Sequence, residues 1–164
     1  MHIIRPATLN DIPTITEIYN HAILHTVNTF DTIPKTAVEQ TKWYESHRPH
    51  YPILVAELEG KVVGWTAVSK WQSKPAYSKT VVASIYVHPD HRRQGIAKAL
   101  VMALIEAAYT AGFHAIVIAI SQGNEASVKL AQACGFTLVG VLKEIGYKFD
   151  QWIDVHLMQH TREP

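Results

Sequence analysis

The sequence predicts a single-domain α/β fold over residues 1–164, and three observations carry that prediction. Strand-like and helix-like periodicities alternate in the order βααβββαβαββ, with a hairpin-rich first half unlike plain βαβ alternation. Ala97, Leu100, Val101, Leu104, Ile105 and Ala108 recur at spacings of three and four, the pattern of an amphipathic helix. Hydrophobic residues make up 48% and charged residues 18%, enough apolar surface for one core, and no repeat or Pro/Gly/Ser-rich linker divides the chain.

Each element has a local reason. His2 to Arg5 reads as a short strand. Asn10 and Asp11 precede Ile12, Ile15, Ile18, Tyr19, Ala22 and Ile23, an apolar stripe behind cap-type residues. Thr36-x-x-Glu39 has the form of a capping box and opens a second helix toward His47. Pro52 to Leu58 and Lys61 to Lys70 are β-rich runs joined by Glu59-Gly60, which reads as a hairpin. Thr80 to His88 is rich in β-branched residues; the long amphipathic helix follows and ends at Ala111-Gly112. His114 to Ile120 reads as a buried strand, and Asn124 as the cap of a helix that stops at Gly135. Strands near Phe136 to Val141 and Ile153 to Met158 complete the order.

Fifteen basic residues against fourteen acidic ones leave a net charge of +1, so no footprint for nucleic acid or an anionic membrane is expected. The longest apolar run, Ala99 to Ile105, falls far short of the ~18 residues of a spanning helix. The start lacks a basic segment followed by an apolar stretch, and the lone Cys134 suits a reducing compartment, so a cytoplasmic location is expected. Among the ten histidines, His114, His156 and His160 form no metal-ligand spacing with the cysteine, and no metal is expected.

Chemistry concentrates at Arg92-Arg93-Gln94-Gly95-Ile96-Ala97, between a strand and a helix. Unpaired backbone N–H groups and the positive end of the helix dipole meet there, which makes an anion site. Gly95 permits a backbone approach that a side chain would block. A solvated basic loop with a turn glycine would look the same in isolation. The surrounding residues decide: Ser84-Ile85-Tyr86-Val87-His88-Pro89, then Arg92-x-x-Gly95-x-Ala97, then Asn124-Glu125-Ala126-Ser127 and Cys134-Gly135-Phe136. In this order they resemble the acetyl-coenzyme A core of the GCN5-related N-acetyltransferases (GNAT). Ile4-Arg5-Pro6-Ala7, Asp11, Ile18-Tyr19-Asn20-His21-Ala22, Gly146-Tyr147-Lys148-Phe149 and Trp152-x-Asp154 look like its phosphinothricin and L-amino-acid N-acetyltransferase branch. The likeness runs from Ile4 to about Gln159.

The resemblance implies a splayed mixed β-sheet flanked by about four helices, acetyl-CoA as cosubstrate, a primary amine of a small molecule as acceptor, direct attack in a ternary complex, and often a homodimer. It implies that pantetheine lies between the strand ending at Val87 and the strand from His114, with the pyrophosphate on the Arg92 to Ala97 loop. A backbone N–H near Val87 would stabilise the thioester oxyanion. The cofactor-binding set it implies is Ile85, Tyr86, Val87, Arg92, Arg93, Gln94, Gly95, Ile96, Ala97, Lys98, Asn124 and Ser127. Asn124 serves equally as a plain helix cap. Tyr19, Trp71, Gln72, Ser73, Ser78 and Val82 are the implied acceptor-binding positions.

Two departures from the family pattern bear on mechanism. The family places a glutamate, the general base, four residues before the strand tyrosine, where this chain has Val82. It places a Tyr or His seven residues after the motif asparagine, where this chain has Ala131. The arginines that hold an acceptor carboxylate in relatives fall at Gln72 and Ser78, leaving Lys74 or Lys79 as looser charges. The catalytic residues are therefore unassigned, with His21 and Tyr86 as candidates. His21 and His25 lie one turn apart on the first helix and could face the acceptor cleft, although a histidine on a mostly apolar helix is more often a packed or half-solvated residue. Trp65 and Trp71 suit an acceptor pocket, a core or a dimer contact. Two other readings stay open: a catalytically weak coenzyme A binder, and an acetyltransferase of peptide or protein N-termini.

Overall fold

A computed structural model describes residues 1–164. The chain runs β1 (His2–Pro6), α1 (Ile12–His25), α2 (Ala37–His47), β2 (Ile53–Leu58), β3 (Lys61–Lys70), β4 (Thr80–Val87), α3 (Ile96–Thr110), β5 (Ala115–Ser121), α4 (Glu125–Ala133), β6 (Thr137–Lys148) and β7 (Gln151–Thr161). The element order is the expected one. All seven strands join one sheet in the order β1-β2-β3-β4-β5-β7-β6, antiparallel except for β4 and β5. β6 and β7 run longer than the residue pattern indicated, because Phe149 and Asp150 both adopt positive φ (52° and 58°) and close a tight hairpin between them. Their outer ends are exposed, so no alternation marks them. The β2–β3 hairpin turns in the same way at Glu59 (φ 49°) and Gly60 (φ 78°).

The sheet is covered on both faces. α3 buries Ile96, Leu100, Val101, Leu104 and Ile105 against β2, β3 and β4. Gly64 on β3 lets that helix come close, since a Cβ there would lie 3.2 Å from Leu100 Cδ1 and 3.1 Å from the Tyr86 carbonyl oxygen. On the opposite face, α1 and α2 enclose Ile15, Ile18, Tyr44, Val55, Trp65 and Ala67. The capping box of α2 forms as expected: Glu39 N–H donates to Thr36 Oγ1 (3.2 Å), and Thr36 N–H donates to Glu39 Oε2 (2.8 Å).

Asp11 differs from its expected role. Its carboxylate does not cap α1 but accepts from Thr8 N–H (2.7 Å) and from the Arg5 guanidinium through two bonds (2.8 and 2.9 Å). Arg5 Nε also reaches Glu57 (2.8 Å), so this one fork ties β1, β2 and the entry to α1 together. Asp11 is 6% exposed. Its guanidinium partner holds the carboxyl below the usual carboxylate range, against the opposing effect of burial. A depressed folded pKa means the stabilisation is present above the unfolded value of about 3.9 and is lost as pH falls through the lower folded value. Asp11→Ala should cost about 2 kcal/mol in urea unfolding at pH 7. The gap from wild type should shrink below about pH 4.

Candidate active site

β4 and β5 pair only through Thr80–Val82 against Ala115–Val117. Beyond those three residues each strand keeps only its other neighbour, β4 with β3 and β5 with β7, and the two splay apart. His88 N–H donates to the Val63 carbonyl oxygen (2.8 Å), which puts the hydrogen bonds to β3 on even-numbered residues of β4. Ala83, Ile85 and Val87 therefore turn their backbone N–H and C=O toward the gap. The gap is a cavity of about 560 Å³ floored by Val101, Ile118, Leu130 and Ala131.

The mouth of this cavity is the loop before α3. Gly95, at φ 76°, is the N-cap of α3 and supplies no side-chain cap; the first helical bond runs from Ala99 N–H to the Gly95 carbonyl oxygen (3.1 Å). The N–H groups of Ile96, Ala97 and Lys98 are thus left without intrahelical partners beside exposed Arg92 and Arg93. A Cβ at Gly95 would meet nothing within 4 Å, so the glycine answers to its left-handed backbone and to whatever anion the turn receives. This mouth, with its donors and two arginines, fits a diphosphate. On the far wall Asn124 does two things. Its Oδ1 accepts from Ser127 N–H (3.3 Å) as the cap of α4, and its Nδ2 donates to Asn28 Oδ1 (3.0 Å), bridging the cavity to the α1–α2 loop.

A second cavity of about 360 Å³ lies on the α1/α2 face, walled by Tyr19, Asp31, Trp43, Trp65, Ser69 and Gln40. Ser84 and Tyr86 line both cavities, so the two spaces meet at β4. Tyr86 packs edge-on to Tyr19 (5.1 Å) and leans on Trp65 (5.0 Å); burial pushes its phenol up to about 12. Tyr19 donates to Asp31, and burial keeps this phenol protonated too. Asp31 arrives on a loop fastened from below. Lys148, 4% exposed, donates to the carbonyl oxygens of Thr26 (2.7 Å) and Thr29 (2.8 Å), while Gly146 leaves room for Phe30, whose ring would collide with any Cβ there. Burial pulls the Lys148 pKa down.

The structure gathers most of the expected cofactor-binding residues. Ile85, Tyr86, Val87, Arg92, Arg93, Gly95, Ile96, Ala97, Lys98, Asn124 and Ser127 line the larger cavity, and Gln94 does not. Of the expected acceptor positions, Tyr19 lines the second cavity, whereas Trp71, Gln72, Ser73, Ser78 and Val82 line neither. Gln72, Ser73 and Ser78 are exposed on the β3–β4 connection. Val82 lies on the Ser84–Tyr86 face of β4, directly across from Ser69. His21 lines the larger cavity with its ring 4.7 Å from that of His25; burial and that neighbour hold its pKa down. Ala131 is buried in the cavity floor. Asp31, Glu39, Gln40, Trp43 and Ser69 also wall the second cavity and were not among the expected positions. The i, i+3 pair Gln40 and Trp43 and the period-two set Trp65, Ala67 and Ser69 carried a usable signal, while Asp31, in a loop, carried none.

Comparison with known proteins agrees with this arrangement. The acetyltransferase (GNAT) family matches residues 15–136. An L-methionine sulfoximine/L-methionine sulfone acetyltransferase of Salmonella typhimurium is 38% identical over 157 residues, covering 95% of this chain and 92% of the relative. A phosphinothricin N-acetyltransferase of Streptomyces viridochromogenes is 37% identical over 160 residues, covering 98% and 87%. Among solved structures, an acetyltransferase from Salmonella typhimurium with acetyl-CoA superposes with a TM-score of 0.97 at 36% identity, covering 100% of this chain and 95% of that one.

The fastening of the α1–α2 loop is testable. Lys148→Met leaves the Thr26 and Thr29 carbonyls without their donor and should cost about 2 kcal/mol. Amide hydrogen exchange should accelerate at residues 26–31 while β3 and β4 keep their protection. Unchanged exchange in that loop would remove Lys148 from this role.

Proposed function

We propose, from the premise that this chain belongs to the acetyltransferase (GNAT) family, that it acetylates the primary amine of a small molecule in the cavity between α1, α2 and β4. It is an acetyl-CoA-dependent N-acetyltransferase. The observation that carries the reading is the meeting of two cavities at Ser84 and Tyr86, one with an anion-binding mouth and the other walled by aromatic and polar side chains. In this reading the N–H groups of Ile96, Ala97 and Lys98, with Arg92 and Arg93, receive the diphosphate. The gap-facing backbone of Ile85 and Val87 receives the pantetheine arm, and the Val87 N–H polarises the thioester carbonyl for direct attack.

The acceptor follows from charge. Relatives act on methionine sulfoximine, methionine sulfone or phosphinothricin, all amino acids. The second cavity has no arginine in its wall and is bordered by Asp31 and Glu39, so a free carboxylate gains no bidentate grip there. A second cavity of about 360 Å³ suits a small molecule better than a peptide. An α-amino group with pKa near ~8 is roughly 10% neutral at pH 7, whereas a lysine-type amine at ~10.4 is about 0.04% neutral. Low-pKa amines, such as α-amino amides and aromatic amines, are the preferred class.

The assembly proposed is a homodimer through β6. This strand is the sheet's outer edge, and Val139, Ile145, Tyr147 and Trp152 stand exposed beside it. The buried Cys134 is consistent with a cytoplasmic setting.

Calorimetry should show acetyl-CoA binding, weakened about tenfold or more by Gly95→Val, which forces a β-branched residue into left-handed backbone. Thiol release from an amine panel at pH 7 should favour α-amino amides over lysine-like amines and rise with pH toward the acceptor's own pKa. Binding without turnover on any amine would leave only a coenzyme A binder. Light scattering should give twice 18.4 kDa, and a constant mass of 18.4 kDa across concentrations would exclude the dimer.

A further inference from the structure

We propose that Ser69 and His47 form the proton relay that takes the place of the missing carboxylate at Val82, Ser69 meeting the acceptor amine and His47 receiving the proton. This rests on the small-amine acetyltransferase reading above. The two residues come from β3 and α2, and neither belongs to the motifs that mark the coenzyme side.

The geometry fixes direction as well as proximity. His47 is buried at the end of α2, its ring between Trp43 (4.7 Å) and Tyr51 (5.9 Å). Nδ1 lies 2.8 Å from the Trp43 carbonyl oxygen, which can only accept, so Nδ1 carries the proton and Nε2 is the bare lone pair. Nε2 lies 2.9 Å from Ser69 Oγ. The Ser69 hydroxyl must therefore donate to His47, which leaves the oxygen's own lone pairs for the second cavity, where Ser69 forms part of the wall. Burial lowers the pKa of His47, opposed only by the Trp43 carbonyl, so the ring is neutral at pH 7.

The position is the telling part. Ser69 is the direct cross-strand partner of Val82, so its side chain stands on the same face of the sheet at neighbouring height. The hydroxyl thus sits beside the place where the family carries its base. The carboxylates of the second cavity are engaged, and the Ser84 hydroxyl and Gln40 amide there have no imidazole or carboxylate bonded to them. Asp31 Oδ2 accepts from Tyr19 and its Oδ1 lies 3.6 Å from Lys35 Nζ, Glu39 accepts both donors of Thr36 in the α2 cap, and the Tyr86 phenol stays protonated. His21 faces the larger cavity.

The step balances. The neutral amine attacks the thioester carbonyl, the C–N bond forms and the C–S bond breaks. The amine nitrogen gives its surplus proton to Ser69 Oγ, directly or through one water, as the Ser69 proton passes to His47 Nε2. Coenzyme A leaves as the thiolate and takes a proton from solvent, and the imidazolium returns its proton to solvent after product leaves.

His47 replacement can disturb α2, so Ser69 is the better probe. Ser69→Ala should lower kcat about 100-fold for an α-amino amide, leaving the KM for acetyl-CoA unchanged. Ser69→Thr, which keeps the hydroxyl, should retain kcat, and Val82→Glu in the Ser69→Ala background should recover most of the loss. Independently of turnover, ¹⁵N NMR of the free wild-type protein should show the Nδ1–H tautomer of His47 at pH 7. Full activity in Ser69→Ala, no rescue by Val82→Glu, or an Nε2–H or charged His47 would overturn the relay while the acetyltransferase reading stands. Absence of turnover in the wild type with every amine would overturn both.

Discussion

The parallel pairing of β4 and β5 lasts three residues and then stops, and the rest of the molecule is arranged around that interruption. Backbone N–H and C=O groups in a buried setting normally find partners, so a strand that leaves its neighbour must be held elsewhere. Here β4 stays zipped to β3 from Gly64–Val87 to Lys70–Val81, and β5 to β7 from Ala115–Thr161 to Ser121–Val155. Each half of the sheet is complete without the other. Closing the gap would bond the inner edges of Ala83, Ile85 and Val87 to β5 and leave no room for a cosubstrate.

Because side chains and hydrogen-bonding groups alternate along a strand, one strand serves both cavities. The odd residues of β4 send backbone polar groups into the gap and the apolar side chains of Val81, Ala83 and Ile85 against α3. The even residues Val82, Ser84 and Tyr86 send side chains to the other face, toward α1 and α2. In the proposed reaction an acceptor held there approaches the thioester from the face opposite α3. The α1–α2 loop completes both spaces: Asn28 meets Asn124 across the first, and Asp31 borders the second. That loop is itself held by β6 through Lys148 and Phe30, so an edge strand sets the shape of the second cavity.

The mouth of the larger cavity was legible in the sequence because it is built from consecutive residues. A turn, a left-handed glycine and a helix N-terminus act through backbone, and Arg92 to Lys98 form one contiguous segment that any chain of this pattern must fold similarly. The second cavity was not legible because its wall comes from five separate segments. Ser69 and Trp65 belong to β3, Ser84 and Tyr86 to β4, Gln40 and Trp43 to α2, Tyr19 to α1 and Asp31 to a loop. A count back from Tyr86 along one strand reached Gln72 and Ser78, which the chain carries away on an exposed turn. Asp11 shows the same limit at the level of a single residue. Its place before an apolar stripe suggested a cap, but the nearby Arg5 guanidinium offered a stronger, charge-assisted partner.

In the proposed relay a neutral imidazole takes the place of a carboxylate, and that changes what the acceptor must be. The base has two separable tasks: removing a proton from an ammonium before attack, and removing the surplus proton once the C–N bond has begun to form. The second is undemanding, because the nitrogen becomes strongly acidic as it acquires acyl character. The first depends on the gap between base and amine. For a histidine at or below its ordinary ~6.5, taking a proton from a lysine-type ammonium at ~10.4 is uphill by at least about 5 kcal/mol, against about 2 for an α-ammonium near ~8. The proposed relay at Ser69 and His47 would thus handle the late proton and leave the early one to the substrate. With valine where the family carries its glutamate and no arginine in the second cavity, the proposal favours an amine weakened by a neighbouring carbonyl, with no free carboxylate to be held.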